Sequence, residues 1–185
     1  VALLSRSARL CLILATLHAF ARVVTPSALD GAPGEYQVKA AFLLNFVRYV
    51  DWPPESFRNP TDPIVICVLG EDPMGSLLDD AVDGKTVGHH PLAVRRIAQI
   101  RDAASCNIVF VAGLPKRSPE ALAALRVPGL LTIGESEGFA RQGGVIGFRV
   151  EDERHIRFDV NLEAARQANL HISSHLLSLA TIVKR

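Results

Sequence analysis

The chain has 185 residues, 49% of them hydrophobic, with 20 basic and 19 acidic side chains and a formal net charge of +1. A single globular domain with room for a sizeable core is the expectation at that length. The near-balance of charge excludes the basic face that nucleic acid requires and the polybasic patch of a membrane-surface binder.

Residues 1–21 read as a signal peptide. Arg6 and Arg9 precede an apolar run that closes on Ala19-Phe20-Ala21, a small-residue cleavage site. The run is too short for a comfortable membrane span, and the competing reading is an uncleaved N-terminal anchor. Cys11 stands at the start of the run, directly after Arg9-Leu10, a poor place for a lipoprotein cysteine. Cleavage takes Arg6 and Arg9 away, which leaves 18 basic against 19 acidic residues. Residues 22–34, with Pro26 and Pro33, read as a flexible lead-in. Residues 35–185 form the expected single domain.

The spacing predicts a helix over Tyr36–Trp52, stopped by Pro53-Pro54. Its polar residues Gln37, Asn45, Arg48 and Asp51 fall near one stripe, and Lys39 is the only charge on the opposite side. A helix apolar over so much of its circumference must be covered on several sides. Phe42, Phe46, Tyr49 and Trp52 are candidate aromatic anchors for an interface, with packing inside the chain as the competing reading.

A polar connector carrying Phe57 and Arg58 leads to a strand at Ile64–Leu69 and a helix near Met74–Val82. Gly84–Val87 and Leu92–Arg96 read as short strands around a His89-His90-Pro91 turn, followed by a short helix at Ala98–Ala104 and a strand at Cys106–Ala112. Ser118-Pro119-Glu120 is an N-cap followed by proline at the first helical position, opening a helix to Arg126. Then come a strand at Leu130–Ile133, a short helix at Gly138–Gln142, and a hairpin of Val145–Val150 with His155–Val160. Leu162–Asn169 and Ser173–Val183 read as terminal helices. Strands alternating with helices, then a hairpin at the edge, predict an α/β fold. Its sheet is mostly parallel and Rossmann-like, flanked by helices, with a C-terminal β-hairpin.

After cleavage two cysteines remain, Cys67 and Cys106, an even count that suits an oxidising compartment. Both sit in runs that read as buried parallel strands. Side by side, such strands can bring the two within bridging distance. Two buried, reduced cysteines are the alternative; the export reading favours the bridge.

Chemical motifs mostly fail. Gly70 and Gly75 have the wrong spacing for a dinucleotide fingerprint, and Pro73 removes a donor. Gly84-Lys85-Thr86 matches the tail of a P-loop, but Asp79 stands where its first glycine is required. His171 and His175 have the i, i+4 spacing of a helical metal pair, yet Ile172 replaces the glutamate of a zincin and no third ligand is identifiable. Ser173 reads as a helix cap. No catalytic residue, metal or cofactor is expected. For a small-ligand sensor, recognising a nucleotide or amino acid and acting on a membrane signalling protein, the candidates are Arg58, His171, Ser173 and His175. Anions favour a helix N-terminus such as that of Ser173.

Several segments recur together: Tyr36-x-x-Lys39-Ala-Ala-Phe-Leu with Trp52-Pro53, Ile66-Cys-Val-Leu-Gly70, and Cys106-x-Ile-Val-Phe110. Gly143-Gly144-Val-Ile-x-Phe148, Arg157-Phe-Asp-Val-Asn161 and Leu170-x-Ile-Ser-Ser174 follow in order. In this the chain resembles the YfiR-like family of periplasmic proteins over about residues 36–181. The resemblance implies a non-catalytic, dimeric domain with a Rossmann-like core. It also implies a periplasmic inhibitor that binds the periplasmic region of an inner-membrane diguanylate cyclase, lowering cyclic-di-GMP and biofilm formation. An outer-membrane lipoprotein can sequester such an inhibitor. The Cys67/Cys106 pair falls where the family places a bridge. A second bridge of some members would need cysteines in the later sheet, and this chain has none there.

Overall fold

The computed structural model describes residues 33–113, 119–152 and 155–184; the proposed signal peptide, most of the lead-in and the Ser118 cap lie outside them. The fold is built around β2 (Ile64–Leu69), whose six residues alternate between two apolar layers. Ile64, Ile66 and Val68 face α1 (Pro33–Tyr49) and α2 (Ser76–Val82), while Cys67 and Leu69 face the opposite layer. A strand apolar on both sides belongs inside a parallel sheet, and β2 lies there with a parallel neighbour on each side.

On one side of β2 run β4 (His90–Ile97), parallel, and β3 (Thr86–Val87), antiparallel to β4. On the other side follow β5 (Ile108–Val111), β6 (Leu131–Gly134) and β7 (Ile146–Asp152), each parallel to its neighbour. β8 (His155–Asn161) turns back antiparallel against β7, and β10 (Thr181–Val183) adds in parallel to β8. The order β10-β8-β7-β6-β5-β2-β4-β3 makes a mixed, mostly parallel sheet flanked by helices, with the expected hairpin at β7–β8. α1, α2, α4 (Leu162–Gln167) and α5 (Ser174–Ser178) contribute to one layer. α3 (Pro119–Ala124) and a 3-10 turn at Ile100–Ser105 contribute to the other. Among the described residues no helix is long and apolar enough to cross a membrane.

Five sequence expectations are corrected. The first helix ends at Tyr49, because Val50–Asp51 extend as β1 and pair with β9 (His171–Ile172). The terminal helix stops at Ser178, and Thr181-Ile182-Val183, a β-branched run, forms β10. The hairpin is therefore one strand in from the sheet edge. His90 and Pro91 belong to β4 instead of a turn. Gly138–Gln142 makes successive turns and no helix, tucking the buried Phe139 ring between Gly134 and Gly144. A Cβ at either glycine would stand 2.3 or 2.1 Å from that ring, so only glycine fits the approach.

Candidate functional site

Cys67 and Cys106 are bridged, with Cα atoms 6.0 Å apart. The bridge ties the middle of β2 to the residue preceding Asn107 at the start of β5. Asn107 completes this junction. Its backbone N–H donates to Val65 O at 3.0 Å, and its Oδ1 accepts from Val65 N at 2.9 Å. Its backbone carbonyl accepts from Leu131 N at 2.8 Å and from the indole N–H of Trp52 at 3.3 Å.

Beneath this junction the connector between β1 and β2 borders an open cleft of about 400 Å³, whose lining includes Glu55, Arg58, Asp62, Val65, Cys106 and Asn107. Asp62 shapes the connector. Its carboxylate accepts from the backbone N–H groups of Arg58 and Asn59 at 2.9 Å and from Asn59 Nδ2 at 3.1 Å. The Asn59 side-chain hydrogen bond leads in holding the Asp62 pKa below its ordinary value. The Asp62 carbonyl lies 2.7 Å from His90 Nδ1. Since a carbonyl only accepts, Nδ1 carries the proton. The same imidazole stacks on Phe57 with centroids 4.0 Å apart.

The ligand-sensor candidates do not converge. Arg58 lines the cleft, and His171, Ser173 and His175 are not among its lining residues. His171 sits on β9, 3.1 Å from Asp51 Oδ2, with both side chains about four-fifths exposed. Water screens such a pair to about 0–1 kcal/mol. Ser173 caps α5 as expected, its Oγ accepting from Leu176 N at 3.3 Å. The five-residue α5 is too short to offer the anion site expected there. His175 lies on α5 with its ring 4.9 Å from Tyr49. His171 and His175 thus occupy different elements, and the helical metal spacing is not realised.

The aromatic candidates divide by burial. Phe46 is wholly buried, edge-on to Phe158 at 5.1 Å, so it belongs to the core and is closed to a partner. Phe42, Tyr49 and Trp52 are half-buried and pack against the same core. Phe42 lies 5.5 Å from Phe158 and 6.0 Å from Phe148. The sequence reading missed what Lys39 does, although its lone charge on an apolar side was the signal. Its side chain is 2% exposed, and its ammonium is 2.5 Å from Glu35, 2.6 Å from Glu135 and 4.6 Å from the Tyr36 ring centroid. Burial works against the charge most strongly. The hydrogen bonds to Glu135 and Glu35 and their charges together outweigh it and hold the Lys39 pKa above its ordinary value.

Fold and site define a class: a disulfide-stapled α/β domain whose surface offers a polar cleft and half-buried aromatic rings. The chain belongs to the YfiR/HmsC-like family, whose model matches residues 36–181. That family is periplasmic and regulatory, and membership suggests a periplasmic regulator of diguanylate cyclase signalling. None of the curated proteins matches the chain. Among solved structures, a conserved domain protein from Vibrio cholerae O1 biovar eltor str. N16961 is similar, with a TM-score of 0.46 and 11% identity. The similarity covers 81% of this chain and 60% of that one.

Proposed function

We propose that the chain is an inhibitor that binds the periplasmic region of an inner-membrane diguanylate cyclase, lowering cyclic-di-GMP and biofilm formation. The observation that carries this reading is the family match over residues 36–181. The bridge between Cys67 and Cys106 fits the oxidising compartment where such a protein would work. Residues 1–21 serve as the export signal and 22–34 as a lead-in to the domain, which acts as a homodimer. An outer-membrane lipoprotein is a second partner, able to draw the inhibitor away from the cyclase. Phe42, Tyr49 and Trp52, half-buried along and just beyond α1, are the aromatic positions that remain for an interface.

The experiment is co-purification of the mature, oxidised chain with the periplasmic regions of the sensor cyclases of its own genome. Retention of one of them, together with lower cyclase activity in membranes, is the expected outcome. Retention of none would sink the reading. A ligand sensor is the second reading, favoured by Arg58 in the 400 Å³ cleft. Calorimetry with nucleotides and amino acids tests it, and absence of heat at millimolar ligand refutes it.

A further inference from the structure

The two edges of β4 are paired to different extents. Its inner edge runs along β2 from Leu92 to Ile97, whereas β3 covers its outer edge only at His90 and Pro91. Peptide groups along a strand point alternately to either side. Gly70 N–H donates to Ile97 O at 3.2 Å, so the groups of Ala93, Arg95 and Ile97 point to β2. Leu92 N–H donates to Lys85 O at 3.0 Å, so those of Leu92, Val94 and Arg96 point outward. The chain reaches β3 from α2 through a turn at Gly84 (φ 63°), closed by Lys85 N–H donating to Val82 O, and so never passes alongside Val94 and Arg96. Among the described residues, the outward N–H and C=O groups of these two have no hydrogen-bond partner. Such an edge can take a further strand.

The side chains select the occupant. Arg95, aligned with Cys67, lies on the disulfide face of the sheet. It is exposed, and its guanidinium donates to Ser105 Oγ at 2.9 Å and to Ser105 O at 3.3 Å, with no carboxylate among the described residues paired to it. Arg96 lies on the other face, already neutralised by Asp72 at 2.8 Å and Asp79 at 2.6 Å. A second copy, paired about a two-fold axis through all four free groups, would set the two Arg95 side chains directly opposite each other, and like charges so placed are destabilising. An acid at that position is favoured instead. Arg95 falls between the two hydrogen-bonding residues, and in an antiparallel pair that is the position where facing side chains come closest.

We propose that the outer edge of β4 at residues 94–96 docks an extended segment of a partner protein, antiparallel to β4 and in line with β3, with an acidic residue opposite Arg95. The backbone groups of Val94 and Arg96 hold the segment, and the acid across from Arg95 selects it. The segment residues facing Val94 and Arg96 lie on the side of Asp72 and Asp79, which favours apolar or basic side chains there. This assignment goes beyond the inhibitor reading and needs no cyclase for its test.

The test follows amide hydrogen exchange in the oxidised, isotope-labelled full chain by NMR, with and without the blocked peptide Thr-Thr-Val-Glu-Val-Thr-Thr as probe. In the free chain the Val94 and Arg96 amides are expected to exchange far faster than that of Arg95, which is bonded to β2. Low-millimolar probe should slow Val94 and Arg96 together, and the same peptide with lysine in place of glutamate should bind about threefold or more weakly. Arg95→Gln should abolish that preference with an unchanged melting temperature. No slowing at Val94 and Arg96, or slowing only at other strands, would overturn the proposal. So would equal affinity of the two peptides for the parent chain. Protection of these amides that rises with protein concentration in the absence of probe would give the edge to a second copy, and would overturn it too.

Discussion

Replacing Phe46 with alanine separates core from interface. Its ring has no exposed surface and lies 5.1, 5.8 and 5.9 Å from the rings of Phe158, Phe42 and Phe148. Truncating a buried phenylalanine costs about 3–5 kcal/mol, within which the aromatic pairings account for about 0.5–1.5 kcal/mol each. With a urea slope of about 2 kcal/mol per M, the unfolding midpoint should fall by roughly 2 M. Phe42→Ala, at a half-buried position, should lose about half as much, in proportion to the apolar area it hides. Urea titrations followed by the fluorescence of Trp52 and by circular dichroism measure both variants. A Phe46→Ala protein that keeps its midpoint within about 0.5 M would refute the reasoning.

Three further outcomes are expected. Replacing both Cys67 and Cys106 by serine should cost about 4 kcal/mol, the chain-entropy value for a bridge spanning 39 residues; a loss under about 1 kcal/mol in urea would contradict it. Lys39 has a folded pKa above its ordinary value, so its stabilising contribution is complete below the unfolded pKa. That contribution is lost as pH rises through the folded one. Lys39→Met should therefore be destabilised by about 3 kcal/mol near neutrality and lose less than the parent when melting is followed from pH 9 to 12. Parallel curves would remove Lys39 from the alkaline transition. Gly144→Ala forces the Phe139 ring to move and should lower the melting temperature well beyond a surface control such as Ala123→Ser.

The parallel sheet was legible because β2 and β5 are uninterrupted apolar runs, and Ile64–Leu69 coincides with the expected strand. The same directness made Cys67 and Cys106 readable as a bridged pair. Elements decided by distant partners were not legible. Val50 leaves α1 because Ile172, far along the chain, offers it a strand partner, and no local propensity reports that. His171 lies before the helix already expected to open at the Ser173 cap, and what its i, i+4 spacing to His175 did not report is the strand pairing of His171, in β9, with Asp51. Phe46 and Phe42 looked alike in a helix apolar over most of its circumference. Only the docking of α1 on Phe148 and Phe158 tells which ring is sealed. Lys39 was visible as an anomaly, but its second acid, Glu135, is 96 residues away. The cleft, formed where a polar connector passes under strand ends, left no periodic trace at all.

Asn107 bonds Val65 through both its backbone and its side chain, while its carbonyl reaches Leu131 and Trp52. In a sheet whose central strands are apolar on both faces, a one-residue slip would barely change which surfaces are hidden. Hydrophobicity alone would then tolerate the error. Asn107 removes that tolerance, because its amide meets Val65 in one alignment only. The same alignment brings the neighbouring Cys106 to Cys67, with Cα atoms 6.0 Å apart, so the bridge and the amide enforce one register together. The covalent link then acts as a latch on the strand register: β5 cannot slide along β2 without pulling against the bridge as well as breaking the Asn107 contacts.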